Sequence, residues 1–303
     1  MARPMTALPI GRLVPGTDEW AAARRRRIGG SEIAAVLGIS PYESPFSLWH
    51  RKRGDVGPVE LTEPMRWGTL LEDVVAARFA ELHPELSVRT TPAFVHAERD
   101  YQTAAPDRLL YPSRRGRKPC AIYEGKTARM PDDWGSDSTD EIPVHYRAQC
   151  LWYLDCLGLE LCHVAVLIGG SDYREYQITA APDEARFMRT EAEKFIASLD
   201  DGPRPSIDSH SATYQTVKEL HPDIDGTAVD VPAEIATAYI SACATEKAVK
   251  AAKTEAAALL ADAMGTAREA WCDGQKVAMR VPGADGAPPH LRPAKPARKA
   301  TAA

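Results

Sequence analysis

Helical and strand-like segments alternate between residues 18 and 200, and their order narrows the possible folds. Apolar periodicity predicts helices at residues 18–27, 31–38, 46–54, 64–83, 144–157 and 182–199. Strand-like runs cover residues 86–91, 93–97, 101–105, 120–128, 161–170 and 173–180. This mixture is typical of an α/β core, a mixed β-sheet flanked by helices, and not of separate helical and sheet layers.

The chain divides into four predicted segments. Residues 1–17 are interpreted as an N-terminal arm, and residues 18–204 as the core. A Pro/Ser-rich stretch near residues 202–213 precedes a C-terminal extension, residues 205–282, which combines a long helix with a hairpin turning at Asp273-Gly274. The Pro/Ala/Lys/Arg-rich tail, residues 283–303, is predicted to be disordered.

Composition excludes several classes of protein. The net charge of −5 argues against a protein that coats nucleic acid through bulk charge, but it allows a local basic groove, because phosphate binding depends on where the cations lie. None of the six cysteines forms a C-x-x-C pair, so we expect reduced thiols. Neither a secretory signal nor an apolar run long enough to span a bilayer is present, and we expect a cytoplasmic protein without membrane partners.

Two carboxylates and a lysine converge on one strand end. Pro106-Asp107 follows a strand-like run, and Glu124 and Lys126, two apart on the next strand, share a face. Neighbouring carboxylates repel unless a cation lies between them, and their oxygens are the ligands that Mg²⁺ and Mn²⁺ prefer. Lys126 would either assist an attacking water or neutralise charge developing on a phosphate. An ordinary surface Glu–Lys pair fits the same letters equally well.

Other polar residues extend this candidate centre. Glu72 on the long helix is a further candidate metal ligand, and the region of Thr127 is another. Tyr146 and Gln149, three apart, share one face of the helix that follows the strand. The alternative interpretation is that Glu72, Tyr146 and Gln149 lie on ordinary, solvated helix surfaces and belong to no functional site.

A second candidate site lies near the start of the core. Arginines 24–27 precede Gly29, Gly30 and Ser31, and Ser31 is predicted to be an N-cap. Glycines let backbone amides approach a phosphate, a helix start favours an anion, and arginine supplies paired contacts. The pattern would suit a terminal phosphate, with a basic helix face as the plainer alternative.

Taken together, these motifs resemble a known family. The ordered series RRRRIGGSEIAAVLGISPYESPFSLW, MRWGTLLE, PD…EGKTA, IPVHYRAQCLWYL, VAVLIGG and YREYQI, within residues 18–200, resembles the YqaJ-type viral recombinases. These are similar to the lambda-type alkaline exonucleases of the PD-(D/E)XK nuclease superfamily.

The resemblance implies a restriction-endonuclease-like core and Mg²⁺-dependent 5′→3′ digestion of one strand of duplex DNA, which leaves a 3′ single-stranded tail. It also implies a phage-type recombination system in a bacterial host, a partner annealing protein of the RecT or Bet type, and a ring-shaped homotrimer.

Residue by residue, the resemblance assigns metal binding to Asp107, Glu124 and Glu72, and catalysis to Lys126. Tyr146 and Gln149 match a helix motif that closes over the site, and Arg24, with Arg27 as an alternative among the four arginines, pairs with Ser31 in a 5′-phosphate pocket. This chain departs from the family pattern where Arg108 replaces glycine, and Arg108 is interpreted as a contact to the DNA backbone. Ala105 and Gly125 are further departures.

Two alternatives remain open. An endonuclease or repair nuclease of the same superfamily would use the same core on another substrate. A non-catalytic DNA-binding recombination protein is the other alternative, although clustered carboxylates disfavour contact with phosphates. The resemblance does not extend to residues 205–303, where Lys247, Lys250 and Lys253 lie on a helix whose default interpretation is a solvated face.

Overall fold

The computed structural model describes residues 5–11 and 24–294, which belong to two compact units, Met1–Asp223 and Ile224–Ala303. In the first unit the helices are α1 (Gly30–Val36), α2 (Pro45–Arg53), α3 (Glu63–Leu82), α4 (Val144–Leu157), α5 (Pro182–Ser198) and α6 (Ser211–Leu220). Its strands are β1 (Ala7–Gly11), β2 (Ser87–Thr90), β3 (Ala93–His96), β4 (Thr103–Ala104), β5 (Arg108–Tyr111), β6 (Ala121–Ala128), β7 (Leu161–Ile168) and β8 (Asp172–Thr179).

The main sheet has the strand order β2-β5-β6-β7-β8. Strands β6 and β7 are parallel, joined through α4, and the other neighbours are antiparallel. Strands β1, β3 and β4 form a smaller antiparallel sheet. This five-stranded mixed sheet flanked by helices confirms the α/β core that the sequence predicts.

Alternation along β6 separates two hydrophobic clusters. Tyr123 packs with Val75 and Phe79 of α3, whereas Ile122 packs with Leu151 and other residues of α4. Full burial of each such side chain stabilises the fold by about 1.5–3 kcal/mol. Glu124 and Lys126 continue the Ile122 row, so the strand directs them to the side of the sheet that α4 covers.

Helix α4 is buried over most of its length, including Leu151, Leu154 and Cys156. It begins after Pro143 and ends at Gly158, which adopts the left-handed φ of +69° that a residue without Cβ accepts at low cost. The helix is thereby fixed against the sheet face that carries Glu124.

Several local predictions are wrong. Gly29, not Ser31, is the N-cap of α1, because the Glu32 carboxylate accepts the Gly29 N–H and so closes the first turn. Along α3, the apolar periodicity that predicts the helix does not mark its buried face, since Trp67, Leu70 and Val74 are exposed and the sheet packs against Val75 and Phe79. The predicted helix at residues 18–27 falls mainly outside the described residues.

The predicted end of the core also differs from the structure. Helix α6 follows the Pro/Ser-rich stretch, and the first compact unit continues to Asp223 instead of ending at residue 204. The Thr213 hydroxyl donates to Ser44 Oγ at 2.6 Å, and His210 Nε2 lies 3.2 Å from the Ser40 carbonyl oxygen. These contacts tie the polar stretch to the core.

Near the N-terminus, β1 pairs with β3 where the sequence predicts an arm over residues 1–17. Residues 1–4 and 12–17 of that arm lie outside the described residues. Within the described part of the chain, no helix is both long and apolar enough to cross a bilayer.

The second unit contains α7 (Ala233–Met264), β9 (Glu269–Cys272), β10 (Gln275–Val281) and β11 (His290–Pro293). The predicted hairpin is confirmed, since Asp273 and Gly274 both have positive φ, as a tight two-residue turn requires. The predicted disorder from residue 283 is wrong up to Pro293, because β11 pairs with β10. Residues 295–303 lie outside the described residues.

Candidate active site

The candidate centre is built on β6. Glu124 is buried, and Lys126 Nζ lies 2.6 Å from Glu124 Oε1, so the two side chains share a face as the sequence predicts. Burial separates this pair from an ordinary surface ion pair, whose attraction water would largely screen. The arrangement places one ammonium and one carboxylate in a poorly solvated position beneath α4.

Helix α4 supplies the neighbouring groups. The Gln149 amide donates to Glu124 Oε1 and accepts from Lys126 Nζ at 3.3 Å. The Tyr146 ring lies 4.9 Å from Lys126 Nζ, at a distance where a cation and an aromatic face attract. The structure therefore brings both helix residues predicted from the sequence to the Glu124–Lys126 pair.

Asp107 contacts the backbone of β6 between Glu124 and Lys126. It immediately precedes β5, and its Oδ2 accepts the Gly125 N–H at 2.7 Å. The strand-like run that precedes it in the sequence is β4 of the small sheet, whereas β5 was not predicted. Gly125, a departure from the family pattern, is the residue whose backbone holds the Asp107 carboxylate.

The electrostatics of the centre favour an added cation. Burial, together with the negative charge of Glu124, raises the pKa of Asp107 well above its usual value. Burial would lower the pKa of Lys126, but the charges of Glu124 and Asp107 outweigh it and raise that pKa. Lys126 is therefore protonated at neutral pH, while Asp107 is held in a position that disfavours its ionised form.

One oxygen of the Glu124 carboxylate, Oε2, is buried without a hydrogen-bond partner among the described residues. A buried carboxylate oxygen normally has a partner, so Oε2 of a carboxylate whose charge also acts on Asp107 fits a hard divalent cation. Within residues 5–11 and 24–294, however, no three His, Cys, Asp or Glu side chains are gathered as a metal-binding group.

Glu72, the third carboxylate predicted to bind a metal ion, is engaged in an ion pair. Its Oε1 lies 2.6 Å from Arg108 Nη1, and Arg108 also pairs with Asp73. Arg108 is buried, which was not anticipated for a residue predicted to contact DNA. Glu72 still lies close enough for its charge to raise the pKa of Asp107. Arg108, which stands where the family pattern has glycine, thus neutralises the charge of Glu72.

The second predicted cluster also assembles. Arg24 Nη2 lies 3.3 Å from Ser31 Oγ and 3.0 Å from Glu32 Oε1. Arg27 lies apart, and its Nε donates to the Asp100 carbonyl oxygen at 3.0 Å. Of the two arginines considered for this pocket, Arg24 is the one that reaches Ser31.

A buried charge network supports Arg24. Lys52 Nζ donates to the carbonyl oxygens of Arg24 at 2.8 Å and Arg27 at 2.6 Å, and to Glu32 Oε1 at 3.0 Å. Burial would raise the pKa of Glu32, but Arg24, Lys52 and Arg51 lower it to about 2. Glu32 is therefore ionised, and the cations around it exceed its single negative charge.

Comparison with known proteins identifies the family. A model of the YqaJ-like viral recombinase domain matches residues 19–160. The protein YqaJ of Bacillus subtilis (strain 168) is 34% identical over 225 residues, which cover 71% of this chain and 67% of that protein. The chain belongs to the YqaJ-like viral recombinase family. This confirms the resemblance drawn from the sequence.

Two solved structures are similar as well. One is an alkaline exonuclease (LHK-Exo) from Laribacter hongkongensis, with a TM-score of 0.47 and 20% identity, covering 67% of this chain and 97% of that one. The other is a phage-related exonuclease from Haemophilus somnus 129PT, with a TM-score of 0.40 and 12% identity, covering 64% and 96%.

The YqaJ-like segment contains both clusters, and Gly30 joins them. A Cβ on Gly30 would lie 2.4 Å from Tyr153 Cε1 and 3.0 Å from Gln149 Cγ. The start of α1, which carries Ser31, therefore packs directly against the α4 residues beside Glu124. Tyr153, four residues after Gln149 and 3.4 Å from its amide nitrogen, was missed, although i,i+4 spacing could have indicated it.

We expect Gly30→Ala to destabilise the protein by about 1–3 kcal/mol, because the new methyl group overpacks against Tyr153. Urea unfolding measures this change. Gly68→Ala in α3 is the control, since its Cβ has Thr127 Oγ1 at 3.9 Å as its nearest contact. The control should be neutral or gain up to about 1 kcal/mol from helix propensity. Equal stabilities of the two variants would contradict this packing.

Proposed function

We propose that this chain is a double-stranded DNA exonuclease that depends on a divalent cation, Mg²⁺ with Mn²⁺ as a substitute. It digests one strand 5′→3′ and leaves 3′ single-stranded tails in a phage-type recombination system. Family membership supports the recombination role. The observation that carries the proposal is the buried group of Asp107, Glu124 and Lys126, in contact through Gly30 with the Arg24–Ser31 cluster.

Asp107 and Glu124 would hold the cation, with Glu72 joining them once it leaves Arg108. When bound, the cation polarises a phosphoryl oxygen and lowers the pKa of a water molecule. The positive charge of a cation beside Asp107 would also offset the repulsion from Glu124 that raises the pKa of the Asp107 carboxyl group.

Lys126 has two conceivable roles, and its raised pKa favours one of them. A protonated ammonium cannot accept a proton from water, but it can stabilise negative charge that develops on the phosphate. Gln149 fixes the ammonium and the Glu124 carboxylate relative to each other through its two amide atoms. Neither group then needs to reorganise during the reaction.

Arg24 and Ser31 would bind the terminal 5′ phosphate. A guanidinium and a hydroxyl beside the N-terminus of α1 are suited to an anion. Gly30 keeps this cluster adjacent to the carboxylates, so a phosphate held there would leave a nearby phosphodiester bond within reach of the centre. This adjacency favours action at a DNA end over cleavage within a strand.

The test is digestion of end-labelled linear duplexes with and without a 5′ phosphate, alongside a closed circular plasmid. We expect Mg²⁺-dependent release of nucleotides from the 5′-phosphorylated strand, slower digestion of a 5′-hydroxyl end, and an intact circle. Opening of the circle would assign the chain to the endonucleases. Salt-dependent binding without any product in Mg²⁺ or Mn²⁺ would assign it to the non-catalytic DNA-binding proteins.

Assembly and partners belong to the same proposal. We expect a homotrimer that encloses DNA, an annealing protein of the RecT or Bet type that receives the 3′ tail, and action in the bacterial cytoplasm. Light scattering of the purified chain measures the oligomer, and co-purification with the annealing protein of the same genome measures the partnership.

A further inference from the structure

The hairpin that joins β5 to β6, residues 112–119, has a high local positive charge. Arg114, Arg115, Arg117 and Lys118 are all exposed, and the segment contains no acidic residue. Among the described residues, none pairs with these four side chains through an ion pair or a hydrogen bond. Four cations are thus available on one short turn of a chain whose net charge is −5.

The backbone of this hairpin is held in place. Arg89 of β2 donates to the carbonyl oxygens of Ser113 at 3.2 Å, Arg114 at 2.8 Å and Gly116 at 3.0 Å. Its guanidinium carbon lies 3.9 Å from the centre of the Tyr111 ring. One half-buried arginine on the edge strand β2 therefore fixes the turn, while the four cations of the hairpin itself remain exposed to solvent.

The hairpin is connected directly to the candidate centre. Strand β5 runs from Asp107 to the hairpin, and β6 returns from it to Glu124. Three residue steps from Arg108 to Tyr111 span about 10 Å. That length of duplex axis carries about six phosphate charges, so a duplex at the centre has several phosphates within the reach of the hairpin.

We propose that the hairpin of residues 112–119 binds the sugar-phosphate backbone of the duplex whose end lies at Asp107, Glu124 and Lys126. This inference rests on the proposed function. Exposed arginine and lysine side chains neutralise phosphates without reading base edges, as a nuclease without sequence preference requires. An acidic protein surface is the rival partner, and continuity of β5 and β6 with the centre favours DNA.

A charge-matched pair of variants tests this contact. The hairpin variant replaces Arg114, Arg115, Arg117 and Lys118 with serine. The control variant replaces four exposed cations on α3, α5 and α6, namely Arg78, Arg186, Lys194 and Lys218, with serine. Both variants lose the same charge at exposed positions, and thermal unfolding checks that both remain folded. Affinity for a labelled linear duplex is measured without divalent metal over a series of KCl concentrations.

We expect the hairpin variant to bind at least about tenfold more weakly, and its slope of log K against log [KCl] to be smaller by about 3.6, because each of the four lost phosphate contacts removes about 0.9. The control should keep the slope of the parent chain. A hairpin variant with the parent slope, or equal weakening of both variants, would overturn the inference. Polyglutamate that competes as well as DNA at equal charge would reassign the hairpin to an acidic protein.

Failure of the proposed function is distinguishable from failure of the inference. A parent chain that binds no duplex removes both. A parent chain that binds and digests duplex DNA while the hairpin variant behaves like the parent removes the inference and leaves the proposed function in place.

Discussion

Lys126→Met will lower metal-dependent digestion of linear duplex DNA by at least about 1,000-fold. The methionine side chain keeps much of the volume beneath Tyr146 but removes the ammonium beside Glu124. Initial rates on a 5′-phosphorylated duplex measure the effect. The metal-free protein should also lose about 3 kcal/mol of stability, because Glu124 is left buried without its partner.

Lys194→Met is the matched control for this substitution. Lys194 is exposed on α5 and pairs with Glu191 at 2.7 Å, an i,i+3 pair of small energetic value. Its digestion rate and stability should remain those of the parent chain. If folded Lys126→Met retains more than about a tenth of the parent rate, Lys126 has no catalytic role.

Asp107→Asn will abolish digestion, yet stabilise the metal-free protein at neutral pH. The asparagine carbonyl oxygen still accepts the Gly125 N–H, while the charge that Glu124 and burial disfavour is gone. We expect a gain of roughly 1 kcal/mol or more, the usual cost of one poorly compensated buried polar group. Added Mg²⁺ or Mn²⁺ should raise the melting temperature of the parent chain and leave that of the variant unchanged.

The pH dependence of that gain has a defined sign. The folded-state pKa of Asp107 is above its ordinary value of 3.8, so the folded chain binds this proton more tightly than the unfolded chain does. Below pH 3.8 the carboxyl is protonated in both states, and parent and variant should be similar in stability. As pH rises above this value, the metal-free parent loses stability relative to Asp107→Asn. A stability difference between parent and variant that narrows with rising pH would contradict the buried environment beside Glu124 that is assigned to Asp107.

Much of the centre was predictable because it depends on local periodicity. The two-residue repeat of a strand puts Glu124 and Lys126 on one face, and the three-residue spacing on α4 puts Tyr146 and Gln149 together. Both predictions hold because β6 and α4 are each regular at those residues. The pairing of Arg24 with Ser31 was predicted from the family resemblance and not from spacing.

Other features depend on contacts between distant segments, which one sequence does not reveal. Arg108 pairs with Glu72 and Asp73 across more than thirty positions, and its burial was therefore not foreseen. Lys52 lies on α2, a helix to which no role was assigned from the sequence. Its ammonium contacts Glu32 and two backbone carbonyl oxygens of the arginine run at residues 24–27. Ion pairs of this kind follow from the packing of elements, and packing is set by the whole core.

The exposure of helix faces was equally hidden. Trp67, Leu70 and Val74 repeat at helical spacing, which predicts burial, but the sheet covers α3 at Val75 and Phe79. Apolar periodicity shows that a helix has an apolar face, but it does not show which part of the protein covers that face. In the same way, the sequence of residues 112–119 indicates a basic loop. It does not indicate that Arg89, on strand β2, holds the backbone of this loop.

Crystals of the parent chain grown with Mn²⁺ provide the most direct measurement, through the anomalous signal of the bound ion. We predict a peak about 2.1 Å from carboxylate oxygens of both Asp107 and Glu124, the distance typical of small hard divalent cations. A peak at another location, or an Mn²⁺-soaked crystal in which Glu124 Oε2 faces no ion, would contradict a metal-dependent nuclease centre on β6.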